Sequence, residues 1–325
     1  MIFGSFMPKR SVWDERIEAL RREYPQHQFL EGLKPDSPEA ADLDALLAGK
    51  LPDETYLASP RLKAIFQSFT GINHLPLRRL ADRGVHVYNV HANAFDVAEK
   101  ALAMTLAYYG RIVDYHNDLR KGIWHGFWVR RGAEDNWDSL FGRKCAILGT
   151  GAIGTELAKL LKAFHCEVRG WRRRPGMALP EGFDEVVGDL REAIDKAEIV
   201  FIALPATPLT DGLLTKDILA TMKDKVLVNV GRGSIVDEEG LYLALKNGVL
   251  KAAAIDTWYK YPQGGTIGAP SRFPINELPN VILSPHVGGM TNQATARAID
   301  STVQNIRDFL DKGACASEAD LEAMY

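Results

Sequence analysis

Cysteine is scarce in this chain of 325 residues: Cys145, Cys166 and Cys315 are all it has. Three thiols cannot build a disulfide framework, and no two are spaced like metal ligands. They read as small apolar packers in a reducing cytosol. No uncharged apolar run is long enough to span a bilayer. The first ten residues, Met1 to Arg10, show no basic leader followed by an apolar core and a cleavage site. Charge of one sign is also lacking, since 39 Lys and Arg against 42 Asp and Glu leave a net charge of −3. Such a balance gives no uniform positive field to hold nucleic acid. The expectation is a cytoplasmic protein without metal, membrane or nucleic-acid partners.

What is present suits folded domains. With 46% hydrophobic and 25% charged residues the chain can bury cores and stay in solution, and its length favours two domains. Ser11–Tyr24 has helical spacing, with Trp13, Ile17 and Leu20 on one side. Leu62–Phe66 and Val85–Val90 are short apolar runs of strand type, the first ending in Gln67-Ser68-Phe69-Thr70-Gly71. Asp96 to Asp114 reads as one long helix rich in Ala, Leu and Met. An aromatic, irregular arm follows from Trp124 to Trp137, more apolar than a solvated loop, and predicts a homodimer.

From Lys144 a second series begins. Lys144–Leu148, Val168–Trp171, Ile199–Leu204, Val226–Val230, Ala252–Asp256 and Val281–Leu283 are apolar runs with helical stretches between most of them. A final helix is expected over Asn292–Leu310. The fold class is therefore α/β: two Rossmann-like or flavodoxin-like domains with doubly wound parallel sheets and a cleft between them. Residues 1–95 plus 290–325 are expected to form a discontinuous substrate domain, and residues 96–289 the cofactor domain.

Gly149-Thr150-Gly151-Ala152-Ile153-Gly154 fits G-x-G-x-x-G between the strand Cys145–Leu148 and a helix over Glu156–Phe164. The first Gly permits a tight turn, the second lets a pyrophosphate approach the backbone, and the third lets helix and strand pack closely. The helix N-terminus would then offer free N–H groups to the phosphates. A residue 23 positions beyond Gly149 should meet the adenosine ribose. It is not an acid but Arg172, in Trp171-Arg172-Arg173-Arg174-Pro175. Guanidinium groups there favour a 2′-phosphate, so NADP is expected, with NAD possible.

Three further segments complete an ordered set. They are Val228-Asn229-Val230-Gly231-Arg232-Gly233-Ser234, Ala254-Ile255-Asp256-Thr257-Trp258, and Leu283-Ser284-Pro285-His286-Val287-Gly288-Gly289. With the glycine loop, these closely resemble the D-isomer-specific 2-hydroxyacid dehydrogenases, which include glyoxylate/hydroxypyruvate reductases, phosphoglycerate dehydrogenase and formate dehydrogenase. The likeness is continuous from about Asn89 to Gly289. Reduction of a 2-keto acid needs an acid of near-neutral pKa, which His286 can supply. It also needs a fixed cation for carboxylate and carbonyl, which Arg232 can supply. The resemblance further implies that Ser68, Phe69, Thr70 and Gly71 hold the substrate carboxylate with backbone N–H groups. By the same likeness, Pro205, Thr207, Val230 and Gly231 would line the cofactor, and Asp256 would accept from the nicotinamide amide. A strand-end cap is the plainer alternative for Asp256.

One departure stands out. The family carries a Glu 29 residues after the arginine, paired with the catalytic His; here that position is Tyr261, followed by Pro262. A carboxylate would raise the histidine pKa and fix its tautomer, whereas a phenol can only orient it. Either Tyr261 takes that role, another acid or Gln263 substitutes, or the site is not tuned for turnover. Without a carboxylate, His286 is expected to titrate near its ordinary value of about 6.5. The leading expectation is an NAD(P)H-dependent reductase of small 2-keto acids to D-2-hydroxy acids. The alternative is an NAD(P)-sensing binding protein of the same fold with weak or no turnover, as C-terminal-binding corepressors use this scaffold. Oxidation of an unusual oxyanion is a third reading.

Overall fold

A computed structural model describes residues 1–8 and 11–322. Lys9 and Arg10 of the N-terminal segment, and residues 323–325 of the expected substrate domain, lie outside that description. The chain divides into two units, Met1–Asn93 with Asn292–Tyr325, and Ala94–Thr291.

In the first unit, β1 (Ile2–Ser5), β2 (Gln28–Glu31), β3 (Ala45–Leu47), β4 (Ala64–Phe66) and β5 (His86–Tyr88) form a parallel sheet ordered β2-β1-β3-β4-β5. The chain places β2 on one side of β1 and β3 on the other, so the order reverses between β1 and β3. That crevice, at the carboxyl ends of the strands, is where open α/β sheets take ligands. One face buries Phe3, Phe29, Phe66 and Tyr88 under Ile299, Val303, Ile306 and Phe309 of the last helix, Asn292–Lys312. The other face buries Leu46, Ile65, Val87 and Leu80. Apolar residues on both faces are what a covered parallel sheet requires.

The second unit carries β6 (Lys144–Leu148), β7 (Glu167–Trp171), β8 (Glu185–Val187), β9 (Ile199–Ile202), β10 (Val226–Asn229), β11 (Ala252–Ile255) and β12 (Val281–Leu283). They pair in parallel in the order β12-β11-β10-β9-β6-β7-β8, with the reversal between β6 and β9. Ala98, Ala101 and Met104 of the helix Ala94–Tyr109 share a core with Leu157, Ala158 and Leu161 of the helix Ala152–Lys162. The small alanines let the two helices approach closely.

Several boundaries differ from the sequence reading. The expected helix from Asp96 to Asp114 stops at Tyr109, because Arg111 adopts a left-handed φ of 48°. A separate helix, Ile112–Leu119, follows and buries none of its residues. The helix after the glycine loop starts at Ala152, earlier than the expected Glu156, since Ala152, Ile153 and Gly154 of the loop form its first turn. Strand β8 gave no apolar run because all its residues are only half buried.

Candidate functional site

Parallel pairing sends the loops after β6, β7, β9, β10, β11 and β12 out of one edge of the seven-stranded sheet. The glycine loop leaves β6 at the reversal point. Gly149 has φ +105°, and a Cβ there would lie 2.6 Å from the carbonyl oxygen of Ala203. A Cβ on Gly154 would collide with the carbonyl oxygen of Gly149. Both glycines are thus demanded by close backbone approach. Gly151 differs, because a Cβ there meets nothing within 4 Å. It caps the helix Ala152–Lys162 with no side-chain hydrogen bond, leaving the first-turn N–H groups of Ala152, Ile153 and Gly154 open. An exposed helix start with open N–H groups fits a pyrophosphate.

Past β7, Arg172 turns back on its own loop. Its Nη2 donates toward the carbonyls of Pro175, Met177 and Ala178, at 3.2, 2.5 and 3.0 Å. Its Nε is buried and, among the described residues, meets no acceptor. Arg173 and Arg174 are exposed. The structure thus gives Arg172 a loop-shaping task that the sequence did not show, and leaves the next two guanidinium groups open. After β9, Thr210 ties the turn together: its Oγ1 donates to the carbonyl of Pro205 at 2.6 Å and accepts from the N–H of Thr207 at 2.8 Å. Val230 is buried and continues the ladder of β10, donating to Ile202 at 3.2 Å.

Arg232 follows β10 between two glycines whose purpose the structure makes clear. A Cβ on Gly231 would lie 2.7 Å from the carbonyl oxygen of Leu204, and one on Gly233 would strike the carbonyl of Trp258. Asn229 fixes the turn, accepting from Gly231 N–H and donating to the Arg232 carbonyl, each at 3.0 Å. The Arg232 guanidinium is half buried and donates to the Gly231 carbonyl at 2.8 Å. Withdrawal from water lowers its pKa, and the neighbouring Tyr261 opposes this.

His286 sits beyond β12 on a loop held by Asp256 at the end of β11. Asp256 Oδ1 accepts from Ser284 Oγ at 2.5 Å and from Val287 N–H at 3.0 Å, and Oδ2 accepts from Gly288 N–H at 2.9 Å. His286 itself adopts a left-handed φ of 59°. Its imidazole pKa is lowered by partial withdrawal from water and by the Arg232 cation, with Asp256 opposing. The expectation of an ordinary histidine value is corrected by this: the cation in the site and the crowding act the same way. The rings of Tyr261 and His286 lie 5.4 Å apart, tilted by 45°. The Tyr261 hydroxyl accepts from Trp258 N–H at 3.1 Å, and burial raises its pKa.

In the other unit, the loop Ser68–Gly71 leaves the carboxyl end of β4. Asn89 donates to the Thr70 carbonyl at 2.7 Å, and the Thr70 hydroxyl lies 3.0 Å from the Val90 carbonyl and 3.1 Å from Asn93 Oδ1. Among the described residues, the N–H groups of Ser68, Phe69, Thr70 and Gly71 meet no protein acceptor. Two features escaped the sequence reading. One is the Asp256 latch: its residues stood in two readable motifs, but their pairing across two strand ends did not show. The other is a buried polar group around Tyr56, Gln67 and His74, which position after β3 and β4 could have flagged. No described group of three or more His, Cys, Asp or Glu is placed to hold a metal ion, and no helix is long and apolar enough to cross a membrane.

A family model for the D-isomer specific 2-hydroxyacid dehydrogenase NAD binding domain matches residues 102–288, more than half the chain. The chain belongs to the D-isomer specific 2-hydroxyacid dehydrogenase family. Within that dehydrogenase family it is 28% identical over 312 residues to a glyoxylate reductase of Pyrococcus furiosus, covering 92% of this chain and 85% of that one. It is 28% identical over 274 residues to a D-3-phosphoglycerate dehydrogenase of Methanocaldococcus jannaschii, covering 83% of this chain and 50% of the relative. The chain thus spans about half the length of that curated relative. Among solved structures, an NADPH-dependent glyoxylate/hydroxypyruvate reductase from Sinorhizobium meliloti, in complex with citrate, superposes with a TM-score of 0.78. The two are 26% identical, and the match covers 98% of each chain.

Proposed function

We propose that the chain is a reductase converting small 2-keto acids of the glyoxylate and hydroxypyruvate type to D-2-hydroxy acids. NADPH is the preferred reductant and NADH the possible second. The observation that carries this is the shared edge of one parallel sheet: Arg232 and His286 leave the same edge as the open-backed glycine loop. The unit Ala94–Thr291 then serves as the cofactor domain and the other as the substrate domain.

Gly149, Gly151, Ala152, Ile153 and Gly154 hold the pyrophosphate. Arg172 shapes the loop that presents Arg173 to a 2′-phosphate. Pro205, Thr207, Val230 and Gly231 would lie along the cofactor. When bound, the dinucleotide supplies the hydride. Arg232 binds the carboxylate and polarises the carbonyl; in the other unit, the open N–H groups of Ser68 to Gly71 are donors suited to a carboxylate. Protonated His286 delivers a proton to the carbonyl oxygen as charge develops there, and neutral His286 takes it back in the reverse direction. Asp256 positions His286; an ionised carboxylate has about four acceptor sites, so three loop bonds leave one for the nicotinamide amide. Tyr261 orients the imidazole through ring contact, and its hydroxyl is engaged by Trp258 N–H.

The exposed aromatics of the arm support a homodimer. Trp124, Phe127, Trp128, Trp137 and Phe141 are each more than half exposed. His125 staples the arm, with Nδ1 2.7 Å from Asp135 Oδ1 and Nε2 3.0 Å from Asp118 Oδ2. Such a rigid apolar surface suits a second copy of the chain. Free thiols at Cys145, Cys166 and Cys315 support a cytoplasmic location.

The replacement of a carboxylate by Tyr261 favours a second reading, an NAD(P)-sensing protein with weak turnover. NADPH consumption with glyoxylate and hydroxypyruvate separates the two. Turnover that is lost in both Arg232→Ala and His286→Ala supports the reductase. Tight NADPH binding without turnover of any keto acid supports the sensor.

A further inference from the structure

We propose that Lys50 and His74 form a second anion subsite in the unit Met1–Asn93, selecting 2-keto acids that carry a second carboxylate. This rests on the reductase reading but moves its preferred substrate from the monocarboxylates glyoxylate and hydroxypyruvate to dicarboxylates.

Strands β3 and β4 are parallel neighbours, so the segment Ala48-Gly49-Lys50 and the loop Ser68–Gly71 leave the same sheet edge side by side. The segment after β3 also borders the reversal between β1 and β3. One residue, Tyr56, organises both. Its side chain is fully buried. Its hydroxyl donates to the Gly49 carbonyl at 2.5 Å and accepts from Leu51 N–H at 3.0 Å, pinning the peptides on either side of Lys50. Its ring lies 6.4 Å from that of His74, and the His74 ring lies 5.4 Å from that of Phe69 in the carboxylate loop. Lys50 is exposed, so its ammonium is free to swing toward a ligand.

One polar atom here is unspent. His74 Nε2 is buried without a partner among the described residues. The side-chain amide of Gln67, directly preceding Ser68, is fully buried beside the Tyr56 hydroxyl, which ties it to the same group. Buried polar groups are seldom left without a partner, because each costs the desolvation of an unmade hydrogen bond. A polar ligand that reaches His74 Nε2 would relieve that cost.

The charge selects the ligand. Burial and the charge of Lys50 both lower the pKa of His74, so at neutral pH the ring is an uncharged donor. One ammonium with one neutral N–H matches a singly charged carboxylate. A phosphate dianion would call for two cations, most often guanidinium forks. The substrate class is therefore the 2-keto dicarboxylic acid, reduced by NADPH with one proton to the 2-hydroxy dicarboxylic acid.

The test compares kcat/KM for oxaloacetate and 2-oxoglutarate with that for glyoxylate and hydroxypyruvate, in wild type, Lys50→Ala, Lys50→Glu and His74→Gln. Wild type should favour a dicarboxylate, and the dicarboxylate-to-monocarboxylate ratio should fall about tenfold or more in Lys50→Ala, through KM. Lys50→Glu should lower it further. Calorimetric binding of D-malate and glycolate to the protein with NADP⁺ reads the same ratio without turnover, so an inactive enzyme would sink the reductase reading while still testing the subsite. A ratio unchanged by Lys50→Ala in both assays would overturn the proposal, as would a stronger preference for phosphohydroxypyruvate.

Discussion

Asp256 brackets His286: it accepts from Ser284, two residues before the histidine, and from Val287 and Gly288, the two residues after it. The left-handed backbone of His286 costs energy for a residue with a Cβ, and these three bonds hold it there. A Cβ on Gly288 would lie 2.8 Å from Asp256 Oδ2, so the fit is close on both sides. Asp256→Asn would place an NH₂ group against an N–H donor of the loop. Stability should fall by about 1–3 kcal/mol, and kcat for keto-acid reduction by roughly 10–100-fold. Denaturant unfolding and steady-state kinetics check both. A fully active Asn variant would show that the loop holds His286 unaided.

Gly154→Ala should fail in a different way. The new methyl would strike the Gly149 carbonyl, so the helix start must move away from the loop. NADPH affinity should drop by about tenfold or more, with a loss of thermal stability, since the same contact packs helix on strand. Gly151→Ala meets no protein atom, and should lower NADPH affinity with little change in the melting temperature of the free protein. Fluorescence titration of NADPH, paired with thermal melts, distinguishes the two glycines. Equal melting losses would remove the ligand-facing role of Gly151.

The parallel sheets were legible because strands such as β6, β10 and β11 are buried on both faces and so read as unbroken apolar runs. Strand β8, three residues long and only half buried, gave no apolar run to read. Arg232, His286 and the glycine loop stood out because backbone crowding forces glycines beside them. Tyr56, Gln67 and His74 left no such mark, as each is an ordinary residue whose meaning comes from which strand end lies next to which. Arg172 shows a further limit: its position was readable, but not that its guanidinium would be spent on three carbonyls of its own loop.

Cofactor choice should reflect that division of labour. Arg173→Ala with Arg174→Ala removes two exposed cations, and should weaken NADPH by about 10–100-fold while leaving NADH nearly unaffected. Arg172→Ala releases the loop carbonyls of Pro175, Met177 and Ala178, so it should weaken NADPH and also raise loop mobility, seen as faster amide exchange at 173–178. Equal losses for NADH and NADPH in the double variant would mean that these arginines do not read the 2′-phosphate.

The arm offers a direct assay of assembly. Trp128 is 75% exposed, and Trp128→Asp puts a charge into the apolar surface without disturbing any buried contact. Sedimentation should show a dimer for wild type and mostly the 36.0 kDa chain for the variant at micromolar concentration. A wild type that already sediments as a single chain would overturn the dimer.

The pH profile tests the altered partner of His286. Its pKa lies below the ordinary histidine value of about 6.5, through withdrawal from water and the charge of Arg232. Reduction needs the protonated ring, so reductive kcat/KM should already be falling as pH rises through the acid side of that value, about tenfold per pH unit beyond it. Oxidation of the hydroxy acid needs the neutral ring and should rise over the same range. Tyr261→Glu supplies a carboxylate beside the imidazole, which favours the charged form, so the reductive limb should move to higher pH. His286→Ala should cut reduction by about 10²–10⁴-fold while NADPH still binds. If the wild-type reductive profile stays level past about pH 8 and Tyr261→Glu leaves it unmoved, the proton for the carbonyl comes from a group other than His286.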